Sequence, residues 1–124
     1  MPPPNRTLIG KIGEMLAETY LTGRGCRVVE RNYRCAFGEI DLVMRDRGVL
    51  AFVEVRTKAS EDFGHPLESV DWAKQRKVRV VAGHYLNERG SGFCEGFRFD
   101  VVGILFREGE DPSIQWVAGA FAGA

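Results

Sequence analysis

Three strand-like segments follow one another closely, and the next strand arrives only after a long helix; this order dictates the kind of sheet the chain can build. The segments are residues 26–34, 38–45 and 49–56, with Asp46-Arg47-Gly48 as the turn between the last two. Strands joined by short turns pair antiparallel, whereas a strand–helix–strand passage yields a parallel pair. That passage comes from a helix over 67–88 and a strand over 97–106, after a loop holding Phe63-Gly64-His65-Pro66. A turn at 108–112 and a fifth strand at 113–117 follow, and a helix over 8–24 opens the chain. The expected fold class is α/β, a central mixed five-stranded sheet flanked by helices. With 124 residues the chain makes one domain, 1–124, with 1–7 and 122–124 as frayed ends.

The first helix has two unlike sides. Leu8, Ile12, Met15, Leu16 and Thr19 share one stripe, while Gly10, Gly13 and Ala17 lie on the other with Glu14 at its margin. A glycine inside a helix costs about 1 kcal/mol relative to alanine, so two on one side predict a close approach there, by a sheet. Glu14 then sits at that contact. In the long helix, Val70, Ala73, Val78, Val81 and Tyr85 form the apolar stripe, and Lys74 and Lys77 fall within it rather than opposite it. Lysines so placed either snorkel outward or lie over a site and reach its phosphate or carboxylates.

Chemistry concentrates on the second and third strands. Phe52, Glu54, Arg56 and Lys58 have one parity and share a face. Glu54 lies in an otherwise apolar strand centre, where an unpaired charge is costly. Either an Arg56 or Lys58 salt bridge compensates it, or a divalent cation does. Asp41 is also an acid within an apolar strand. If Arg47-Gly48 is a two-residue hairpin loop, Asp46 faces Val49 and the register brings Asp41 opposite Glu54. A three-residue loop would put the two acids on opposite faces. Two carboxylates that close repel unless a proton or metal lies between them. Oxygen ligands with room for water suit Mg²⁺ or Mn²⁺, and the Val55 carbonyl adds a further ligand. Glu39 shares the parity of Asp41. Asp100 reads as a structural hydrogen-bonding acid, and Trp72 and Trp116 as packing residues.

The bulk composition narrows the classes. Lys plus Arg and Asp plus Glu are both 17, so the net charge is zero, which counts against a general polyanion binder. A local basic groove beside an acidic site would cancel in that sum. The three cysteines form no C-x-x-C pair and, with no signal peptide, point to a reducing cytosol, so the expected location is cytoplasmic. No apolar run approaches the roughly 20 residues of a membrane span.

Several ordered motifs together resemble the bacterial YraN family: Gly10 and Gly13-Glu14, Arg31-Asn32-Tyr33-Arg34, Gly38-Glu39-Ile40-Asp41-Leu42, Phe52-Val53-Glu54-Val55-Arg56, Phe63-Gly64-His65-Pro66, Lys74 with Tyr85-Leu86, and Arg98-Phe99-Asp100-Val101. The likeness runs from Leu8 to Phe121. That family in turn is similar to the restriction-endonuclease-like, or PD-(D/E)XK, superfamily and to its archaeal Holliday-junction resolvases. The resemblance implies an Mg²⁺- or Mn²⁺-dependent endonuclease acting on branched or distorted DNA, working as a homodimer. It implies a carboxylate on the first helix, Glu14, an aspartate on the second strand, Asp41, and the run Glu54-Val55-Arg56 on the third; together with the residue reading the candidate catalytic set is Glu14, Asp41, Glu54, Arg56 and Lys58, with metal held by Asp41, Glu54 and Val55. Lys74 and Lys77 are the implied nucleic-acid contacts. Arg56 stands where the superfamily has lysine, and an arginine, always protonated, cannot act as a general base. Lys58 or Lys74 would then supply the lysine. Two other readings stay open: a non-catalytic nucleic-acid-binding module on the same fold, and a protein-interaction subunit.

Overall fold

The computed structural model describes residues 4–59, 64–90 and 94–122, with backbone alone at 4–7. Helix α1 (Pro4–Thr22) precedes strands β1 (Arg27–Cys35), β2 (Gly38–Asp46) and β3 (Val49–Lys58); a 3₁₀ turn (Pro66–Ser69) and helix α2 (Trp72–Arg89) lead to β4 (Gly96–Leu105) and β5 (Ser113–Phe121). The strands form one mixed sheet in the order β1-β2-β3-β4-β5. Only β3 and β4 pair in parallel, across the passage through α2, and the three other pairs are antiparallel. The α/β five-stranded mixed sheet expected from element order is what the chain forms. Among the described residues, no helix is long and apolar enough to cross a membrane.

Three boundaries differ from the sequence reading. α1 begins at Pro4, so residues 4–7, expected as part of a frayed arm, are helical. A proline suits the first helical position because its missing N–H has no intrahelical acceptor there. Residues 1–3 and 123–124 lie outside the described residues, as does Phe63. The helix expected over 67–88 is divided. The His65 side chain caps the 3₁₀ turn at the Leu67 N–H, and the Asp71 side chain caps α2 at the Lys74 N–H, 2.9 Å away. An aspartate that accepts from the third residue after it starts a new helix there. Lastly, β5 runs on to Phe121, through small residues expected to be irregular.

Each face of the sheet carries one helix. On one face Phe52 and Phe99 of the sheet pack against Val78, Val81 and Tyr85 of α2; on the other Leu42, Met44, Val53 and Ile104 pack against Ala17 and Leu21 of α1. Ala73, read as part of the α2 stripe, is exposed. Strict alternation would put Ile40 with Leu42 and Met44, yet it packs under α2 with Tyr33. The cause lies one strand away. Asn32 is left-handed, with φ 51°, between Arg31, which pairs with Glu18 of α1, and Tyr33, which packs under α2. β1 and β2 turn over together here, and Asp41 lies at the crossing, between the pairs Arg31↔Leu42 and Tyr33↔Ile40.

The glycine side of α1 does meet the sheet, at one of its two glycines. A Cβ on Gly13 would overlap the Thr57 methyl of β3 and stand 3.7 Å from Ile104 of β4, whereas nothing lies within 4 Å of one on Gly10. The two positions therefore respond oppositely to the same change. Gly10→Ala is expected to stabilise the fold by roughly 0.5–1 kcal/mol through helix propensity. Gly13→Ala is expected to cost roughly 1–2 kcal/mol through overpacking, despite the same propensity gain. Urea unfolding of both variants measures the difference; equal shifts would show that α1 does not seat on Thr57.

Candidate metal centre

The hairpin between β2 and β3 decides where the acids go. Arg47 and Gly48 both have positive φ, 53° and 88°, the signature of a two-residue type I′ turn. Arginine is an unusual occupant of the first position, and Gly48 is the usual one of the second. The turn locks the register Asp46↔Val49 through Leu42↔Val53. Beyond that pair the ladder ends, and the next two residues are Asp41 and Glu54. Asp41 uses its side chain where the ladder stops: Oδ2 accepts the Val55 N–H at 2.8 Å. The N–H and C=O of one strand residue point to the same side. The Val55 carbonyl therefore also faces the gap beside Asp41.

Glu54 is 2 % exposed. Its Oε2 lies 3.6 Å from Lys74 Nζ, and its Oε1 is buried with no hydrogen-bond partner among the described residues. Burial pushes Glu54 above the usual carboxylate range, opposed by the Lys74 and Arg56 charges. Burial also pushes Asp41 up to about 7, with the Glu54 charge adding to it, the Val55 N–H opposing it, and Glu14 and Glu39 adding smaller pushes. Two acids, both pushed above their ordinary range, lie at the end of the ladder, one with an oxygen unmatched. A buried polar atom without a partner is costly and calls for an explanation.

A divalent cation fits this donor set. Mg²⁺ binds through one or two carboxylates and keeps several waters. Among the described residues no three His, Cys, Asp or Glu side chains gather into a closed cage, so an ion here would rest on Asp41, Glu54, the Val55 carbonyl and water. Glu14 is held next to this group by Asn32, whose Nδ2 donates to Glu14 Oε1 at 2.8 Å.

The cations divide. Lys74 reaches Glu54, and Lys74 and Lys77 line a cleft of about 450 Å³ with Arg34, Phe37, Glu39 and Asp41. Arg56 is close enough to act on the Glu54 charge, but its Nε donates to Ser69 Oγ at 2.8 Å, and that hydroxyl donates to the Pro66 carbonyl at 2.6 Å. Lys58, expected beside the acids, donates to the Gly64 carbonyl at 3.3 Å, at the far end of β3. The salt bridge that Arg56 or Lys58 was expected to offer Glu54 is thus made by Lys74. Of the two tryptophans, Trp116 packs and donates its indole N–H to Asp100, but Trp72 is 67 % exposed beneath Arg79 and does not pack in the core. Sequence reasoning missed Asn32 and Phe37. An asparagine in a strand was the one available signal for the first, since it tolerates left-handed backbone and is disfavoured in strands.

Comparison with known proteins finds one family along most of the chain. A family model described as Uncharacterised protein family UPF0102 matches residues 13–104. Similar relatives include a UPF0102 protein of Pelotomaculum thermopropionicum, 42% identical over 119 residues that cover 94% of this chain and 97% of the relative. One from Solibacter usitatus is 46% identical over 90% of this chain and 84% of its own length. Another from Nitrosococcus oceani is 43% identical, covering 98% and 97%.

Proposed function

The chain belongs to the UPF0102 family, and since the names of its relatives state no activity, we propose a function from the chemistry of the site: a metal-dependent endonuclease on a restriction-endonuclease-like fold. Its substrate is a phosphodiester in branched or otherwise distorted DNA. One observation carries the proposal. Two acids from neighbouring strands converge at the end of their ladder, both held above their ordinary protonation range, with Glu54 Oε1 buried and unmatched. A fold that needed only a salt bridge would have no use for the second acid.

Bound there, Mg²⁺ or Mn²⁺ supplies an acidified water and neutralises phosphate charge. The remaining work falls to side chains. Asp41 and Glu54 hold the ion, with Asp41 also fixed by the Val55 N–H. Lys74, partly exposed and next to Glu54, orients Glu54 and offers its ammonium to a phosphate oxygen. Arg56, anchored on Ser69, is a fixed positive charge and not a proton acceptor. Lys58 secures the end of β3, and Glu14 orients water from the α1 side. A non-catalytic nucleic-acid-binding module is the second reading, favoured by the arginine at position 56.

The discriminating experiment incubates the protein with junction, flap, gapped and linear DNA, and with RNA, in Mg²⁺ or Mn²⁺. Wild type is expected to cut at least one distorted substrate, and Glu54→Gln to lose at least about 100-fold of that activity, more than the loss of an outer-sphere partner brings. Salt-sensitive binding with no cutting by wild type would favour the second reading.

A further inference from the structure

Phe37 is the anomaly of the cleft. It occupies the second position of the two-residue turn Ala36-Phe37 between β1 and β2, yet is 56 % exposed. Tight turns are dominated by Gly, Asn, Asp, Pro and Ser, and nothing in the backbone here asks for an aromatic ring. The ring leans on His84 on one side, with centroids 5.8 Å apart and planes at 59°. His84 is itself fixed, because its Nδ1 shares a hydrogen bond of 3.0 Å with the Tyr33 hydroxyl, which also donates to Glu88 at 3.3 Å. Phe37 is thus backed by an anchored imidazole and remains open on the rest of its surface.

Its neighbours give that surface a polarity. Phe37 lines the same cleft as Asp41, Lys74 and Lys77. The Lys77 stem lies beside Gly38, and the residue is exposed, with no ion pair among the described residues. An open aromatic face beside cations, in one cleft with Asp41, is the arrangement that takes a nucleobase on the ring and its phosphate on the ammonium. A base inside a continuous duplex presents no free face.

We propose that Phe37 is a base-stacking platform and that the site takes a nucleic-acid strand with an unstacked nucleotide, Lys77 holding a phosphate next to that base. This rests on the reading of the cleft as a nucleic-acid site and names its substrate class: gapped, flapped or otherwise splayed strands, in preference to intact duplex. A protein partner would have no need of Lys77 and the acid pair together.

The test measures binding of the full chain to a duplex with a short single-stranded gap carrying 2-aminopurine, in DNA and in RNA form, against the intact duplex. Anisotropy reads affinity, and quenching of 2-aminopurine reads stacking. Wild type is expected to prefer the gapped duplex. Phe37→Ala should lose about 5- to 150-fold of that affinity, the range for removal of one stacking partner. Phe37→Trp should restore both affinity and quenching, which a merely structural role of the ring would not. A gapped duplex bound equally by wild type and Phe37→Ala, no quenching, or no preference over intact duplex would overturn the proposal. Since none of these readouts needs turnover, a protein that cuts nothing but behaves as described keeps the platform and loses the nuclease reading. One that cuts with unchanged affinity in Phe37→Ala does the reverse.

Discussion

Asp41→Asn is expected to abolish metal-dependent activity while making the metal-free protein more stable above neutral pH. The two effects share a cause. In the unfolded chain the Asp41 carboxyl titrates near its ordinary 3.8, and in the fold it titrates at about 7. Below the lower value both states keep the proton and the fold has its full stability. As pH rises from there through about 7, the unfolded state loses its proton first, so the native state is progressively penalised. At about pH 8 the amide, which never ionises, should therefore be favoured over the carboxylate by up to about 4 kcal/mol. For a chain of this size that raises the melting temperature by up to roughly 15 °C. Below about pH 3 the difference should vanish. Added Mn²⁺ should raise the melting temperature of wild type at alkaline pH and leave that of the variant unchanged, because only a deprotonated carboxylate ligates. The wild-type response should fade below about pH 7 as protons compete. Thermal melts of both proteins across pH, with and without Mn²⁺, test all of this. A variant that melts below wild type at every pH, or that still responds to Mn²⁺ in full, would remove Asp41 from the proposed site.

The largest loss of stability is expected on the other face of the sheet, from Asp100→Ala. Asp100 is 1 % exposed and is surrounded by donors: Arg98 Nε at 2.9 Å, the Trp116 indole N–H at 3.0 Å and the Gly119 N–H at 2.9 Å. Arg98 bridges onward to Asp46 at 2.9 Å, tying β4 to the β2–β3 hairpin. Its guanidinium is held well above the usual arginine range, first by the Asp100 hydrogen bond. Alanine leaves these donors unmatched, at a cost of roughly 3–5 kcal/mol. Asp100→Asn, which keeps the shape and one acceptor, should cost about half as much. Chemical denaturation ranks the three proteins. If alanine costs under about 1 kcal/mol, the cluster is only decoration on a fold held by its apolar layers.

Much of the site could be read from the sequence because it depends on short-range rules. The Arg47-Gly48 loop length sets a register that runs from Asp46↔Val49 to Leu42↔Val53 and leaves Asp41 and Glu54 as the next residues on their strands. The order of elements likewise predicts one parallel pair among antiparallel ones. Long-range choices were not legible. The left-handed Asn32 depends on where α1 places Glu14, and no local pattern encodes that. Lys74 could be suspected from its place in an apolar stripe, but which acid it meets depends on how α2 lies across the sheet. Lys58 has the right parity and the wrong end: the strand carries it past the acids to Gly64. Parity says which face a side chain takes, not how far along the sheet its neighbours extend.

The bare contact at Gly13 works as a depth stop. Thr57, on which Gly13 rests, belongs to the same strand as Glu54, and Glu14 is the very next residue of the helix. The strand bearing one acid thus gauges the height of the helix bearing another, with only the Thr57 side chain as a spacer between them. A wedge at this point would lift α1 as a shelf is lifted at one bracket. Glu14 would then move off Asn32 by the thickness of a methyl group while the hairpin acids stayed where they were. The fold could absorb such a lift as a small loss of stability, but the proposed metal site, with Glu14 on its α1 side, could not.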